Sequence, residues 1–378
     1  MAVVKNFNEL ITILESDSTD NTYKYALLRA VCEVTRNNSH LKDRDNERIW
    51  FPTGLLVEKW LLYYWNIFEK APMIPQMPKR YLKGKRLAIS FRKQFEIIIE
   101  HYRGGNGVSQ FYSEYLNKEI PTEINDDILD LMKKIGYAIT RYPMKHLGYS
   151  VHKKHYAVFD YIPPNRIKKQ AVTRELVIRD FGKFSMSSDY YHMFDLMGGF
   201  ITGSQSIISQ WSVKTERLAN NERTFSEVYD ILIHEPTTKR QVDKIKDYYH
   251  RVLDSEDELH CVWSGKSIKS KDDLNIDHMI PFAKMKNNDL WNLIPTYSSV
   301  NSRKKDRIPS PELLQKRKKQ IINHWQIAKS LYPNQFQSEL QLSLMGFNDE
   351  FNYETVFEAL ISAVDNLIIV RKHRKWNG

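Results

Sequence analysis

Apolar residues recur at three- and four-residue steps through most of the first 145 positions. Tyr23, Leu27, Val31 and Val34 predict a helix through TYKYALLRAVCEV, with Thr22 placed to cap it. After the breakers Pro52 and Gly54, the positions Val57, Trp60, Leu61, Tyr64, Trp65 and Phe68 hold one helical face until Ala71, Pro72 and Pro75 end it. A third helix, through KRLAISFRKQFEIIIEHYR, aligns Leu87, Phe91, Phe95, Ile98 and Tyr102 and runs into Gly104, Gly105 and Gly107. A fourth, NDDILDLMKKIGYAI, starts acidic and keeps Ile128, Leu131, Met132, Ile135 and Ile139 in register. Periodic aromatic residues normally face a core, so these rings are expected inside rather than on a base-stacking surface.

The pattern changes after residue 145. YAVFDYI and ELVIRDFGKF are rich in β-branched and aromatic residues and are interrupted by Pro163, Pro164 and Gly182, which predicts short strands. His146, His152 and His155 lie close together, and Lys153 and Lys154 between them favour an exposed basic face over a metal site. Gly198 and Gly199 fit neither a phosphate-binding loop nor a dinucleotide fingerprint, so those enzyme classes are set aside. Helical spacing returns in SQSIISQWSVKTERLA and in QVDKIKDYYHRVL, whose stripe is Val242, Ile245, Tyr248, Tyr249 and Val252. Further on come a basic helix, PELLQKRKKQIINHWQIAKSLY, and a closing one, YETVFEALISAVDNLIIVRKH, that buries Val356, Leu360, Val364 and Leu367. Arg371 to Trp376 read as a basic tail.

At 378 residues the chain exceeds what one core usually serves. Fifty-six Lys and Arg against 46 Asp and Glu give a net charge of +10, which favours a polyanionic partner. Cys32 and Cys261 are too few for a disulfide framework or a four-thiol zinc site. MAVVKNFNELITILES lacks the layout of a secretory signal, and no run of apolar residues is long enough to span a bilayer. A cytoplasmic protein without membrane contact is expected.

The candidate chemistry lies between residues 258 and 310. Asp277 offers a carboxylate oxygen and Asn301 an amide oxygen, hard donors that suit Mg²⁺ or Mn²⁺ better than zinc. His278 is the adjacent residue, so in an extended backbone it points away from Asp277 and is suited to act on a water. Asn292 can hold a loop through its two-sided amide. NIDHMI and NLIPT read as two strands and SSVNSRKK as a short helix.

IDHMIPF, then DLWNLIP, then VNSRKKDRIP resemble the HNH, or ββα-metal, endonuclease family over roughly 50 residues. The intervals of fourteen residues from His278 to Asn292 and nine from Asn292 to Asn301 fall within that family's pattern. The resemblance implies His278 as general base, Asp277 and Asn301 as ligands of Mg²⁺ or Mn²⁺, and Asn292 as the residue that positions the His-bearing loop. It also implies Lys304 as a phosphate contact. Many relatives staple the fold with two C-x-x-C pairs, whereas here those places hold Cys261 with Ser264 and Tyr297 with Val300. No structural zinc is therefore expected, and Trp263, Trp291 and Tyr297 are expected to hold the unit by packing. Around the site, Arg303, Lys305 and Arg307, with Lys316 to Lys319, form a cationic neighbourhood read as phosphate-positioning.

The expected architecture is mainly α with a small α+β part. A helical recognition or regulatory region spans 1–145, a mixed α/β segment 146–225, and an HNH nuclease domain with flanking helices 226–378. The expected activity is metal-dependent hydrolysis of DNA, double-stranded in the first instance, leaving 5′-phosphate and 3′-hydroxyl ends. By the resemblance, standalone members with large helical extensions point to prokaryotic restriction or anti-phage defence. Two alternatives stay open: a nucleic-acid-binding or scaffold subunit whose HNH unit acts only with a partner protein, and a homing or mobile-element nuclease.

Overall fold

A computed structural model describes residues 12–13, 21–45, 48–70, 74–78, 81–82, 85–86, 89–197, 207–220, 222–236, 242–255, 258–285, 287–347 and 351–378. Leu87, Gly198, Gly199 and, apart from Thr12 and Ile13, the opening stretch lie outside these residues. The described residues are mainly helical with small antiparallel sheets, as the spacing of apolar residues predicts. Among them no helix is long and apolar enough to cross a membrane. The chain divides into two compact units, 1–238 and 239–378.

The first unit contains α1 (Tyr23–Asn37), β1 (Asp43–Asp45), β2 (Arg48–Pro52), α2 (Thr53–Glu69), α3 (Arg92–Tyr102), α4 (Val108–Asn117) and α5 (Thr122–Arg141). It continues through α6 (Pro143–His146), α7 (Tyr149–His152), β3 (Asp160–Ile162), α8 (Arg174–Asp180), β4 (Lys183–Ser187), α9 (Ser188–Met197), α10 (Ile207–Leu218) and α11 (Phe225–Ile233). Its centre is α2. Leu55, Leu56, Tyr63 and Ile67 are buried as well as the predicted face of Trp60, Tyr64 and Trp65, so apolar side chains surround this helix. It packs against α1, α3, α5, α8 and α11. Gly54 sits where α2 meets α8, and a Cβ there would lie 1.9 Å from the Val177 carbonyl oxygen, so only glycine allows that approach.

Three sequence expectations change in this unit. Thr22 does not cap α1; its hydroxyl bonds Gln76 and Tyr64 in the core, because burial gives it stronger partners than the helix end. ELVIRD is helix α8 rather than strand, since the Thr173 side chain caps it by accepting from the Leu176 N–H. The divisions expected near 145 and 225 fall inside this unit. The reason is the sheet, ordered β1-β2-β4-β3 and antiparallel throughout, in which β2 of the early region pairs with β4 of the middle one.

The second unit contains α12 (Asp243–Asp254), β5 (Leu259–His260), β6 (Ser267–Ile268), β7 (Leu274–His278), β8 (Leu293–Tyr297), α13 (Ser298–Lys304), β9 (Ile308–Pro309), α14 (Pro311–Leu331), α15 (Pro333–Ser343), α16 (Tyr353–Asp365) and β10 (Lys375–Trp376). β7 and β8 pair antiparallel, with His278 opposite Leu293 and Asp277 opposite Ile294, and α13 follows β8 without a gap. The segment read as a basic tail folds back as β10, parallel to β9. Trp376, buried against Trp263 with ring centroids 5.4 Å apart, is the apolar anchor that holds it there.

α12 and α14 meet at a buried hydrogen bond of 2.9 Å between the Tyr249 hydroxyl and His324 Nδ1. Burial holds the His324 imidazole down to about 4. Between the ordinary value of about 6.5 and that value, the unfolded chain takes up a proton that the folded chain refuses. Its contribution to stability is therefore complete above pH 6.5 and falls away as pH drops toward 4, by about 3 kcal/mol in all. Denaturant titrations at stepped pH are expected to show this slope, and His324→Gln should flatten it.

Candidate active site

The strand pair β7–β8 and helix α13 form the ββα frame that carries the expected residues. Alternation along β7 sends Asn275 and Asp277 to one face and His278 to the other. One turn of α13 separates Asn301 from Lys304, so both reach the same face of β7. There Asn301 Nδ2 donates to Asn275 Oδ1 at 2.8 Å, and the Lys304 ammonium bonds both Asp277 oxygens, at 3.0 and 2.9 Å. Lys304 also donates to the His278 carbonyl. A third donor reaches the carboxylate, Trp263 Nε1 at 2.6 Å.

Lys304 was expected to contact phosphate. The structure places it fully buried, as the counter-ion of Asp277, because a carboxylate at 4% exposure needs a charge partner. Burial pushes the Asp277 carboxyl above the ordinary carboxylate range, against the pull of Lys304 and the Trp263 N–H.

His278 is also buried, its ring 5.4 Å from that of Phe282, and Nε2 lies 3.2 Å from Asn288 Oδ1. An amide oxygen only accepts, so the neutral ring carries its proton on Nε2 and its lone pair on Nδ1. Asn292 is fully buried and touches no reacting position. Its Oδ1 accepts from the Ile280 N–H at 2.8 Å and its Nδ2 donates to the Ile280 carbonyl at 2.9 Å, which fixes the turn leaving His278. Its own loop is held in turn by Trp325, whose Nε1 donates to the Trp291 carbonyl, and by Glu339, which accepts from the Leu290 N–H.

The cationic neighbourhood divides. Arg303 and Lys305 are exposed, whereas the Arg307 guanidinium bonds the carbonyls of Arg303 and Lys304 and closes the end of α13. Where relatives place thiols, Cys261 is buried; its sulfur accepts from the Ser264 N–H and lies 3.3 Å from the Thr296 hydroxyl. The Tyr297 hydroxyl bonds the Ser267 carbonyl across the same knuckle.

Trp263 was expected only as packing, and Asn275 and Asn288 were not anticipated at all. Asn275 was within reach of the period-two rule, being two residues before Asp277 on one strand face. Asn288 carried no signal beyond its place in a polar loop.

The family resemblance implies a divalent cation. Among the described residues no group of three or more His, Cys, Asp and Glu side chains could hold one, so any such ion would rest on one carboxylate and amide oxygens. That donor set fits Mg²⁺ or Mn²⁺, which keep several waters and need few protein ligands. A carboxylate offers about four lone-pair positions. Trp263 and Lys304 place two hydrogen bonds on Oδ2 of Asp277 and one on Oδ1, and the His278 N–H also acts on the carboxylate, so Oδ1 is the oxygen better suited to a single-oxygen contact. Asn301 Nδ2 is committed to Asn275, which leaves its Oδ1 as the second donor.

Two substitutions test these supports. Lys304→Met strands a buried carboxylate and is expected to lower stability by about 3–5 kcal/mol. Asn292→Ala leaves the Ile280 N–H and carbonyl without partners and is expected to cost about 2–4 kcal/mol. Both are read by chemical denaturation followed through tryptophan fluorescence, and a loss below about 0.5 kcal/mol would refute the assigned support.

Two family profiles match the chain. One, described as HNH endonuclease, covers residues 261–310, the segment that contains Cys261, β7, β8 and α13. The other, described as a domain of unknown function, DUF8808, covers residues 4–232, nearly the whole first unit. No curated protein matches the chain. With 229 of its 378 residues under the second profile, the chain belongs to the DUF8808 family, and it carries an HNH endonuclease domain in its second unit.

Proposed function

We propose that this protein is a metal-dependent endonuclease that hydrolyses DNA phosphodiester bonds and leaves 5′-phosphate and 3′-hydroxyl ends. The single observation that carries the reading is the divergence of Asp277 and His278 at the end of β7, inside the segment matched by the HNH profile. His278 acts as general base. Its Nε2 proton is held by Asn288, so the Nδ1 lone pair takes the proton from the attacking water. Asn292 positions that ring by clamping Ile280 and does not touch the substrate. Asp277 and Asn301 are the residues that would hold Mg²⁺ or Mn²⁺, with Lys304 keeping the carboxylate ionised and aimed. A bound divalent ion supplies charge stabilisation to the phosphate and its departing oxygen. Arg303 and Lys305, both exposed beside the site, steer the phosphate backbone.

A place in restriction or anti-phage defence belongs to the same proposal. It is supported by the joining of a nuclease domain to a large helical unit of a separate family.

The test is cleavage of plasmid and linear DNA with Mg²⁺ or Mn²⁺, with and without a chelator. His278→Ala is expected to lower the rate by about 10²–10⁴. Wild-type products should be sealed by ligase without prior phosphorylation. Cleavage that His278→Ala leaves unchanged would overturn the assignment.

A further inference from the structure

The first unit carries its own charged surface, far along the sequence from the nuclease motif. Residues 137–170 hold seven Lys and Arg (Arg141, Lys145, Lys153, Lys154, Arg166, Lys168, Lys169) against one acid, Asp160. That acid is already paired, its carboxylate 3.2 Å from Arg48 Nε. Lys169 pairs with Asp126, but both are largely exposed, and such a pair is too weak to withdraw the cation from a partner.

The aromatic residues of this stretch depart from the rule that governs the rest of the unit. The rings of Trp60, Tyr64, Trp65, Phe91 and Phe95 are buried, whereas Tyr137, Tyr142 and Tyr149 are 58%, 44% and 43% exposed. Tyr142 rests on the buried Tyr23 ring, with centroids 6.0 Å apart, while Tyr137 and Tyr149 lie beside Arg141 and His155.

Arg141, Lys145, Lys153 and Lys154 share a surface with the Tyr137 and Tyr149 rings through a chain of contacts, whereas Lys169 lies among the acids Asp126, Asp127 and Asp130 of α5. The Arg141 guanidinium lies 5.6 Å from the Tyr137 ring and interacts electrostatically with the Tyr156 hydroxyl. Tyr156 meets the Tyr161 ring at 5.5 Å, and its N–H donates to the Lys145 carbonyl. Next to Lys145, His146 meets His155 at 4.9 Å, and His155 stacks on Tyr149 at 4.8 Å. Lys153 and Lys154 project from the turn that joins them, with Lys153 at φ 53°, a left-handed conformation that closes the short helix α7.

We infer that this face binds single-stranded nucleic acid, with phosphates on the lysines and arginines and unstacked bases on the exposed tyrosine rings. Flat rings set among cations are the recognition chemistry of a strand whose base faces are free. A duplex hides those faces, and an acidic protein would use the cations but leave the rings without a role. The inference does not depend on the activity of the HNH site, which lies in the other unit.

The experiment uses the full chain carrying His278→Ala, so that bound DNA is not cut. A fluorescein-labelled oligothymidylate, a matched duplex and an RNA of the same length are titrated by anisotropy over a salt series. Single strands are expected to bind more tightly than duplex, with affinity falling steeply as salt rises. Adding Lys153→Glu with Lys154→Glu should weaken single-strand binding tenfold or more and reduce the salt slope. Tyr149→Ala should weaken it about fivefold or more, with Tyr149→Phe restoring it. Lys93→Glu, at an exposed position of α3, is the charge control and should change little. The inference is overturned if the double lysine variant binds like its parent, or if duplex is preferred and Tyr149→Ala is neutral. If these variants lose binding while His278→Ala leaves cleavage intact in the otherwise unchanged protein, the nuclease assignment alone falls.

Discussion

A carboxylate taken out of water has to be compensated where it stands, and in the second unit that requirement organises everything nearby. Asp277 is 4% exposed, and its charge is met by a lysine from α13 and an indole N–H from the knuckle at Trp263. Those two bonds set how close α13 lies to β7 and how the 261–264 turn folds over the strand. Leaving either donor out would strand a charge in surroundings where solvation cannot replace it. The spacing of Asn301 against Asn275 then follows, since helix and strand are already held in register by the neighbouring pair. His278 is positioned by different means. Its orientation comes from neutral amides, Asn288 at the ring and Asn292 at the turn, so the charged and neutral halves of the site are built separately.

Much of this was legible from residue order because the ββα frame is local. Strand, loop, strand and helix follow one another within about 30 residues of chain, and the spacing of Asp277, His278, Asn292 and Asn301 is a property of that short path. What could not be read was which groups meet across it. A lysine two turns from the end of β8 looks like any surface cation until the burial of Asp277 is known. Trp263 likewise counts as bulk until its N–H is aimed, and Asn288 gains importance only because the loop carries it back to the ring. The same limit applied in the first unit. Thr22 had the right residue type for a cap and found better partners in the core, while ELVIRD had strand-forming residues and was captured by a cap at Thr173.

The first unit shows how one residue class serves two ends. Along α2 aromatic side chains fill a core so completely that the helix has little polar face. Between residues 137 and 170 tyrosines of the same kind stand in water beside lysines. Position distinguishes the two settings: the core rings recur at helical intervals on one face, whereas Tyr137 lies on the outer side of α5 near its end, and Tyr142 and Tyr149 lie in the stretch broken by Pro143 and Gly148. In this chain the unit under the DUF8808 profile thus has both a scaffold and a chemically distinctive surface.

The return of the chain at β10 bears on how the protein comes into being. Trp376 seals the outer side of Trp263, the residue whose indole holds Asp277, and β10 fills the edge of β9. Synthesis runs from the N-terminus, and domains fold as their residues emerge. The first unit is therefore free to form while the second is still being made. The nuclease centre gains its last supporting side chain only when residue 376 has cleared the ribosome. A polypeptide stalled or broken before that point carries every polar group of the motif but lacks the buttress behind one of them.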